Sequence, residues 1–158
     1  MKLQEIERKF LVKNAGFKES AVAKYEIAQG YLSTDPQRSV RVRIKGDTGF
    51  ITVKGIVSEE GTTRFEWEKE IPLSEAEALM ELCLPGAIHK IRYLIPHGKH
   101  TWEVDEFLEL NKGLLLAEIE LDSASEAFDK PEWIGEEVTG QKRYYNSQLS
   151  KEPYSQWE

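Results

Sequence analysis

Eight stretches of this chain alternate apolar and polar residues, and in most of them the polar partner carries a charge. Such alternation is the signature of extended strands, in which residues i and i+2 share a face. The stretches fall at 3–12, 28–33, 39–45, 49–54, 64–71, 88–95, 101–108 and 114–121. Helical patterns are fewer. Ser74 and Glu77 have capping-box spacing at the start of 75–83, where Ala76, Leu79, Met80 and Cys83 share one side. Ser123 and Glu126 repeat that spacing ahead of a short helix that must stop before Pro131. Weaker helical patterns occupy 13–26 and the C-terminus, and 150–158 reads as a loose tail behind a single domain over 1–149.

The faces of the strands say more than their number. Glu5, Glu7 and Lys9 lie together opposite Ile6 and Phe10, with Arg8 as an exception on the apolar side. Arg41 and Arg43 oppose Val40, Val42 and Ile44, and Lys54 opposes Ile51 and Val53. Arg64, Glu66, Glu68 and Glu70 oppose Phe65, Trp67 and Ile71. Lys90 and Arg92 oppose Ile91, Tyr93 and Ile95, while Glu103 and Asp105 oppose Trp102 and Val104. Glu118 and Glu120 oppose Ala117, Ile119 and Leu121. An antiparallel sheet with one wet face, laced by cross-strand ion pairs, accounts for each strand taken singly. A closed barrel with its charged face inward accounts for all of them and removes the exposed edges. Periodicity does not choose, because it does not say which face is outside.

The inward reading has a definite chemistry. Glu5/Glu7 and Glu118/Glu120 would present carboxylate oxygens of the kind that hard ions such as Mg²⁺ and Mn²⁺ prefer. Arg41/Arg43 and Lys90/Arg92 would present donors suited to phosphate oxygens. Acidic and basic clusters kept apart in one cavity suit a metal–polyphosphate complex. A net charge of −7 argues against a general nucleic-acid binder, which would show a basic surface. The first ten residues, MKLQEIERKF, carry charges where a signal peptide would be apolar. The single Cys83 allows no internal disulfide, which fits a reducing, cytoplasmic setting. No G-x-G-x-x-G or G-x-x-x-x-G-K fingerprint occurs. His97 and His100 fall in PHGKH, which reads as a hairpin turn and not as a metal site. Trp67 and Trp102 are expected to pack beneath outer helices, and Trp133 and Trp157 to lie in loop or tail.

The opening EIERKFLV, with Glu5, Glu7 and Lys9 as E-x-E-x-K, resembles the CYTH domain, the triphosphate tunnel metalloenzyme superfamily. QGYL at 29–32, RVR at 41–43, VKG at 53–55, FEWEKEI at 65–71, KIRY at 90–93, EVD at 103–105, EIE at 118–120 and GEEVTGQKRYYN at 135–146 follow in that family's order. The resemblance implies a mainly β (α+β) fold: an eight-stranded antiparallel closed β-barrel forming a tunnel, with a few helices packed outside. It implies binding of a triphosphate with Mg²⁺ or Mn²⁺, and for short bacterial members hydrolysis of inorganic triphosphate. Thiamine triphosphate hydrolysis, ATP cyclisation and triphosphate sensing without turnover remain alternatives. No nucleic-acid or membrane partner is implied, and a homodimer is possible.

Matched position by position, the resemblance makes Glu5, Glu7, Glu118 and Glu120 metal ligands, with Asp105 a further candidate. Arg41, Arg43, Lys54, Lys90 and Arg92 would hold phosphates, with Glu66 and Glu68 orienting those cations or the attacking water. Lys142, in the QKRY segment, is a further match near the tunnel end. Lys9 is expected to serve proton transfer together with Tyr31, read as pointing from an adjacent strand.

Overall fold

The computed structural model describes residues 3–157. Its strands are β1 Gln4–Val12, β2 Ala23–Ser33, β3 Ser39–Lys45, β4 Thr48–Val57, β5 Thr63–Ile71, β6 Ile88–His97, β7 His100–Phe107, β8 Leu115–Glu120 and β9 Ile134–Glu137. The helices are short: α1 Phe17–Ser20, α2 Leu73–Met80 and α3 Asn146–Leu149. Around the sheet the order is β5-β4-β3-β2-β6-β7-β8-β1, and β1 closes the ring by pairing Gln4, Glu5 and Ile6 with Phe65, Arg64 and Thr63 of β5. All pairings are antiparallel. The result is a closed eight-stranded barrel with β9 added beside the end of β1, at Phe10↔Glu137 and Val12↔Ile134.

The barrel is polar within and apolar without. Ile6, Phe10, Tyr93, Ile95, Trp102, Val104, Ala117 and Ile119 face outward and are buried beneath Phe17, Phe128, Trp133 and Ile134. Trp102 is covered by the edge-on rings of Phe128 and Trp133, so loop and β9 form its roof, where helices were expected. Arg8 sits on this apolar side because β9 supplies its counter-charge: its Nε and Nη2 donate to Glu137 at 2.7 and 2.6 Å. Its guanidinium also lies 4.8 Å over the Phe128 ring.

One end of the bore has a floor. Continuing the inward alternation past Lys9, Lys90, Asp105 and Glu118 leads to Leu11, Ile88, Phe107 and Leu116. These pack with Val138, Leu149, Tyr144, Tyr154 and Trp157 of the C-terminal segment. Tyr154 and Trp157 therefore pack against the core from a segment expected to be a loose tail. Tyr154 N–H donates to Asn111 Oδ1 at 2.8 Å, and Trp157 packs edge-on against Tyr144 and Tyr154.

Local helix signals fared less well than strand signals. The pattern over 13–26 yields only the four residues of α1, because Ala23–Gln29 pair with Leu94–Ile88 of β6. Tertiary pairing overrides a weak local preference there. No helix follows Ser123. Glu126 instead accepts the Asp122 N–H at 2.7 Å and meets His100 Nε2 at 2.5 Å, closing a turn. α2 starts at Leu73 behind Pro72 with no side-chain cap, and ends at Met80, short of residue 83. His97 and His100 pair across the β6–β7 hairpin, as their sequence setting suggested.

Candidate functional site

The strand order sorts the inward charges into two walls. β4, β3, β2 and β6 are consecutive and carry Lys54, Arg41, Arg43, Lys90 and Arg92. β7, β8, β1 and β5 complete the ring and carry Glu103, Glu118, Glu120, Glu5, Glu7, Glu66 and Glu68. Lys9 on β1 and Arg64 on β5 are the cations on the acidic side. They surround a cavity of about 220 Å³. Seven lysine and arginine side chains and seven glutamates line it, so segregation and not net charge gives the site its polarity.

The basic wall is anchored from within the bore. Asp105, almost wholly buried, accepts from Lys90 Nζ at 2.7 Å and from Arg92 Nε and Nη2 at 2.8 and 3.0 Å. Burial would raise this carboxyl, but Arg92 and Lys90 hold it well below the usual carboxylate range. Burial would lower Arg92, but Asp105 and Glu103 hold it well above its ordinary value. Burial, with Arg92 and Arg43 nearby, pulls Lys90 down to about 7 against the attraction of Asp105. Burial with Arg41 and Arg92 pulls Arg43 to about 9. Arg41 donates through Nη2 to Thr52 Oγ1 at 3.1 Å, while its buried Nε has no hydrogen-bond partner. An anion in the cavity would relieve the mutual repulsion of these cations and push the depressed values back up.

The acidic wall lacks such compensation at its centre. Burial, then Glu118 and Glu5, raise the Glu7 carboxyl well above its ordinary 4.5. Burial would raise its neighbour Glu118, yet Lys9, a hydrogen bond from Glu7 and Arg92 keep it well below the usual range. Of the two, Glu7 is the carboxyl that holds a proton more readily. Burial would also raise Glu5, but Lys54, 3.0 Å away, holds it below 4.5. Burial and Glu5 raise Glu66 to about 7. Desolvated carboxylates crowded in this way are what a hard divalent cation would bind, displacing any proton between them. Among the described residues no three His, Cys, Asp or Glu side chains already form a ligand cage. The carboxylate oxygens of Glu5, Glu7 and Glu118 fit an ion such as Mg²⁺, which takes few carboxylates and completes its shell with substrate phosphates and water.

A CYTH domain match spans residues 3–155. The chain belongs to the CYTH domain family. Two relatives are named inorganic triphosphatase. One, from Acetivibrio thermocellus, is 48% identical over 96% of both chains. The other, from Nitrosomonas europaea, is 38% identical over 94% of this chain and 97% of its own. The crystal structure of the inorganic triphosphatase NE1496 superposes with a TM-score of 0.66 at 34% identity, covering 92% of this chain and 93% of that one.

Within this CYTH barrel, the structure gathers most of the residues singled out from sequence. Glu5, Glu7, Lys9, Tyr31, Arg41, Arg43, Lys54, Glu66, Glu68, Lys90, Arg92, Glu118 and Glu120 all line the cavity. Two do not. Asp105 lies deeper in the bore than the lining, with both oxygens engaged by Lys90 and Arg92 as their counter-ion. Lys142 is exposed and away from the lining. Tyr31 needs a correction as well. It lies on β2, between β3 and β6, and β2 is not a neighbour of β1. Sequence reasoning passed over Ser39, Arg64, Glu103, Tyr145, Asn146 and Ser147. Arg64 and Glu103 sit on faces already recognised as charged, which was signal enough. Nothing in the pattern marked Tyr145, Asn146 or Ser147.

No helix among the described residues is long and apolar enough to cross a membrane.

Proposed function

We propose that this CYTH chain hydrolyses inorganic triphosphate to pyrophosphate and phosphate with the help of Mg²⁺ or Mn²⁺. One observation carries the reading: the barrel divides its inward charges into a basic wall and an opposed acidic wall around a cavity of about 220 Å³. The volume suits a polyphosphate chain lying between them. The names of its two close relatives support the same substrate.

In this reading Arg41, Arg43, Lys54, Lys90 and Arg92 grip the phosphate oxygens and neutralise charge that spreads over them as the terminal P–O bond breaks. Glu5, Glu7, Glu118 and, at the rim, Glu120 would hold the metal. A bound divalent ion supplies neutralisation of phosphate charge and acidification of water. Water attacks the terminal phosphorus, the bridging oxygen leaves with pyrophosphate, and the water's proton passes to a group in the wall. Lys9 would take that proton as the neutral amine; it sits across from Glu118 in the β1–β8 register, with its Nζ 5.1 Å over the Tyr145 ring. Tyr31 would reach the same substrate from the opposite wall. Glu66 and Glu68 keep Lys54 and Arg41 aimed, at 3.3 and 3.4 Å.

We place the enzyme in the cytoplasm, in keeping with its one free thiol at Cys83. A homodimer belongs to the same proposal, supported by Ile56 and Phe65, which stay exposed on the neighbouring strands β4 and β5, and by Leu3 just before β1.

Phosphate release from inorganic triphosphate, ATP, thiamine triphosphate and pyrophosphate, with Mg²⁺, with Mn²⁺ and with chelator, tests the reading. Fast metal-dependent release from inorganic triphosphate is expected. Faster turnover of an organic triphosphate would move the substrate, and tight binding with no product would make the chain a sensor.

A further inference from the structure

The floor of the cavity holds two uncharged side chains that the reading above leaves without a role. Gln29, fully buried on β2, donates through Nε2 to Oδ1 of Asn146, the first residue of α3, at 2.9 Å. Each amide also holds a cation. Lys90 Nζ donates to Asn146 Oδ1 at 2.9 Å, and Arg43 Nε donates to Gln29 Oε1 at 2.8 Å. The pair therefore bridges β3 to β6 across β2 and ties both cations to the C-terminal segment.

The geometry fixes direction. A lysine ammonium has three donors on a flexible stem. Lys90 gives one to Asp105 at 2.7 Å and one to Asn146, which leaves a third for the cavity that it lines. With its Nε held by Gln29, the planar fork of Arg43 is set in orientation and its terminal nitrogens remain for a ligand. The holders are neutral. A carboxylate in their place would fix the cations equally but cancel charge that a phosphate needs, and Asp105 already supplies the counter-ion. α3 itself is seated by other contacts. Leu149 is buried in the floor, and Ser150 Oγ donates to the Gly86 carbonyl at 2.8 Å.

We propose that Asn146, braced by Gln29, is a positioning residue that aims Lys90 and Arg43 at the substrate's phosphates, so that the C-terminal turn completes the phosphate-binding wall. This rests on the triphosphate reading of the site.

The test compares the full chain with Asn146→Ala, Lys90→Met and the double variant. Calorimetry follows inorganic triphosphate binding in chelator, where turnover is suppressed. Steady-state kinetics with Mg²⁺ separate KM from kcat, and thermal unfolding monitors the fold. Asn146→Ala should melt near the parent, with Kd and KM raised about tenfold and kcat within about twofold, as expected for losing one hydrogen bond to a charged group. In the Lys90→Met background the same substitution should cost clearly less, as interacting residues do. Equal cost in both backgrounds, or an unchanged Kd and KM, would overturn the positioning role while leaving the site reading intact. A parent chain that neither binds nor hydrolyses the triphosphate would overturn both. Asn146→Ser, too short to reach Lys90, gives the same comparison if the alanine variant proves unstable.

Discussion

The two walls of the barrel solve the problem of buried charge in opposite ways. Deep in the bore, Asp105 satisfies Lys90 and Arg92 with three bonds of 2.7 to 3.0 Å, so those cations are held whether or not a ligand is present. At the centre of the acidic wall, burial with Glu118 and Glu5 as neighbours raises the Glu7 carboxyl well above its ordinary value. The Lys90–Arg92 end of the basic wall is finished by the protein; the acidic wall, like Arg41 and Arg43, is finished by what binds there. An uncompensated charge is tolerated in a fold only where a ligand offsets its cost.

The largest expected effect comes from breaking the finished wall. Asp105→Asn leaves two buried cations without their counter-ion and should cost about 3–5 kcal/mol in denaturant unfolding. A loss within about 0.5 kcal/mol would mean that the basic wall does not depend on Asp105. Breaking the unfinished wall should act on function instead. Glu7→Gln removes a proposed metal ligand, and kcat should fall on the order of 10²-fold. The fold should survive, because the change also removes like-charge repulsion. A variant that unfolds with the metal-free parent still stable would contradict that.

A pH titration sharpens the contrast. Glu7 is raised well above 4.5 and Glu66 to about 7, so the folded chain binds more protons than the unfolded one in that interval. Their stabilising contribution is complete below 4.5 and is lost as pH rises through their folded values. Metal-free protein should therefore lose stability between pH 4.5 and about 7 by thermal unfolding, and added Mn²⁺ should restore it most at the upper end. The smallest effect belongs to Lys142→Ala. Exposed and outside the lining, it should leave stability within about 0.5 kcal/mol and KM unchanged.

Much of this was legible in the chain. Period-two charge at Glu5/Glu7, Arg41/Arg43, Lys90/Arg92 and Glu118/Glu120 marked the strands and the chemistry of their inner face. Closure was not legible from periodicity, since β1 meets β5 through a pairing that no local pattern encodes. The floor was written in Leu11, Ile88, Phe107 and Leu116, where the charged alternation turns apolar, yet apolar residues end strands in sheets of every kind. Asp105 looked like one more acid, because only its three bonds separate a counter-ion from a ligand. Gln29 and Asn146 are uncharged and lie far apart in sequence, so their joint hold on Lys90 and Arg43 appears only in three dimensions.

Calorimetric binding of Mn²⁺ near neutral pH, in two buffers of different ionisation enthalpy, tests the unfinished wall most directly. Release of roughly one proton per bound ion, abolished in Glu7→Gln, is the expected result. Binding without proton release, or binding that Glu7→Gln leaves unchanged, would show that the acidic wall is not where the metal sits.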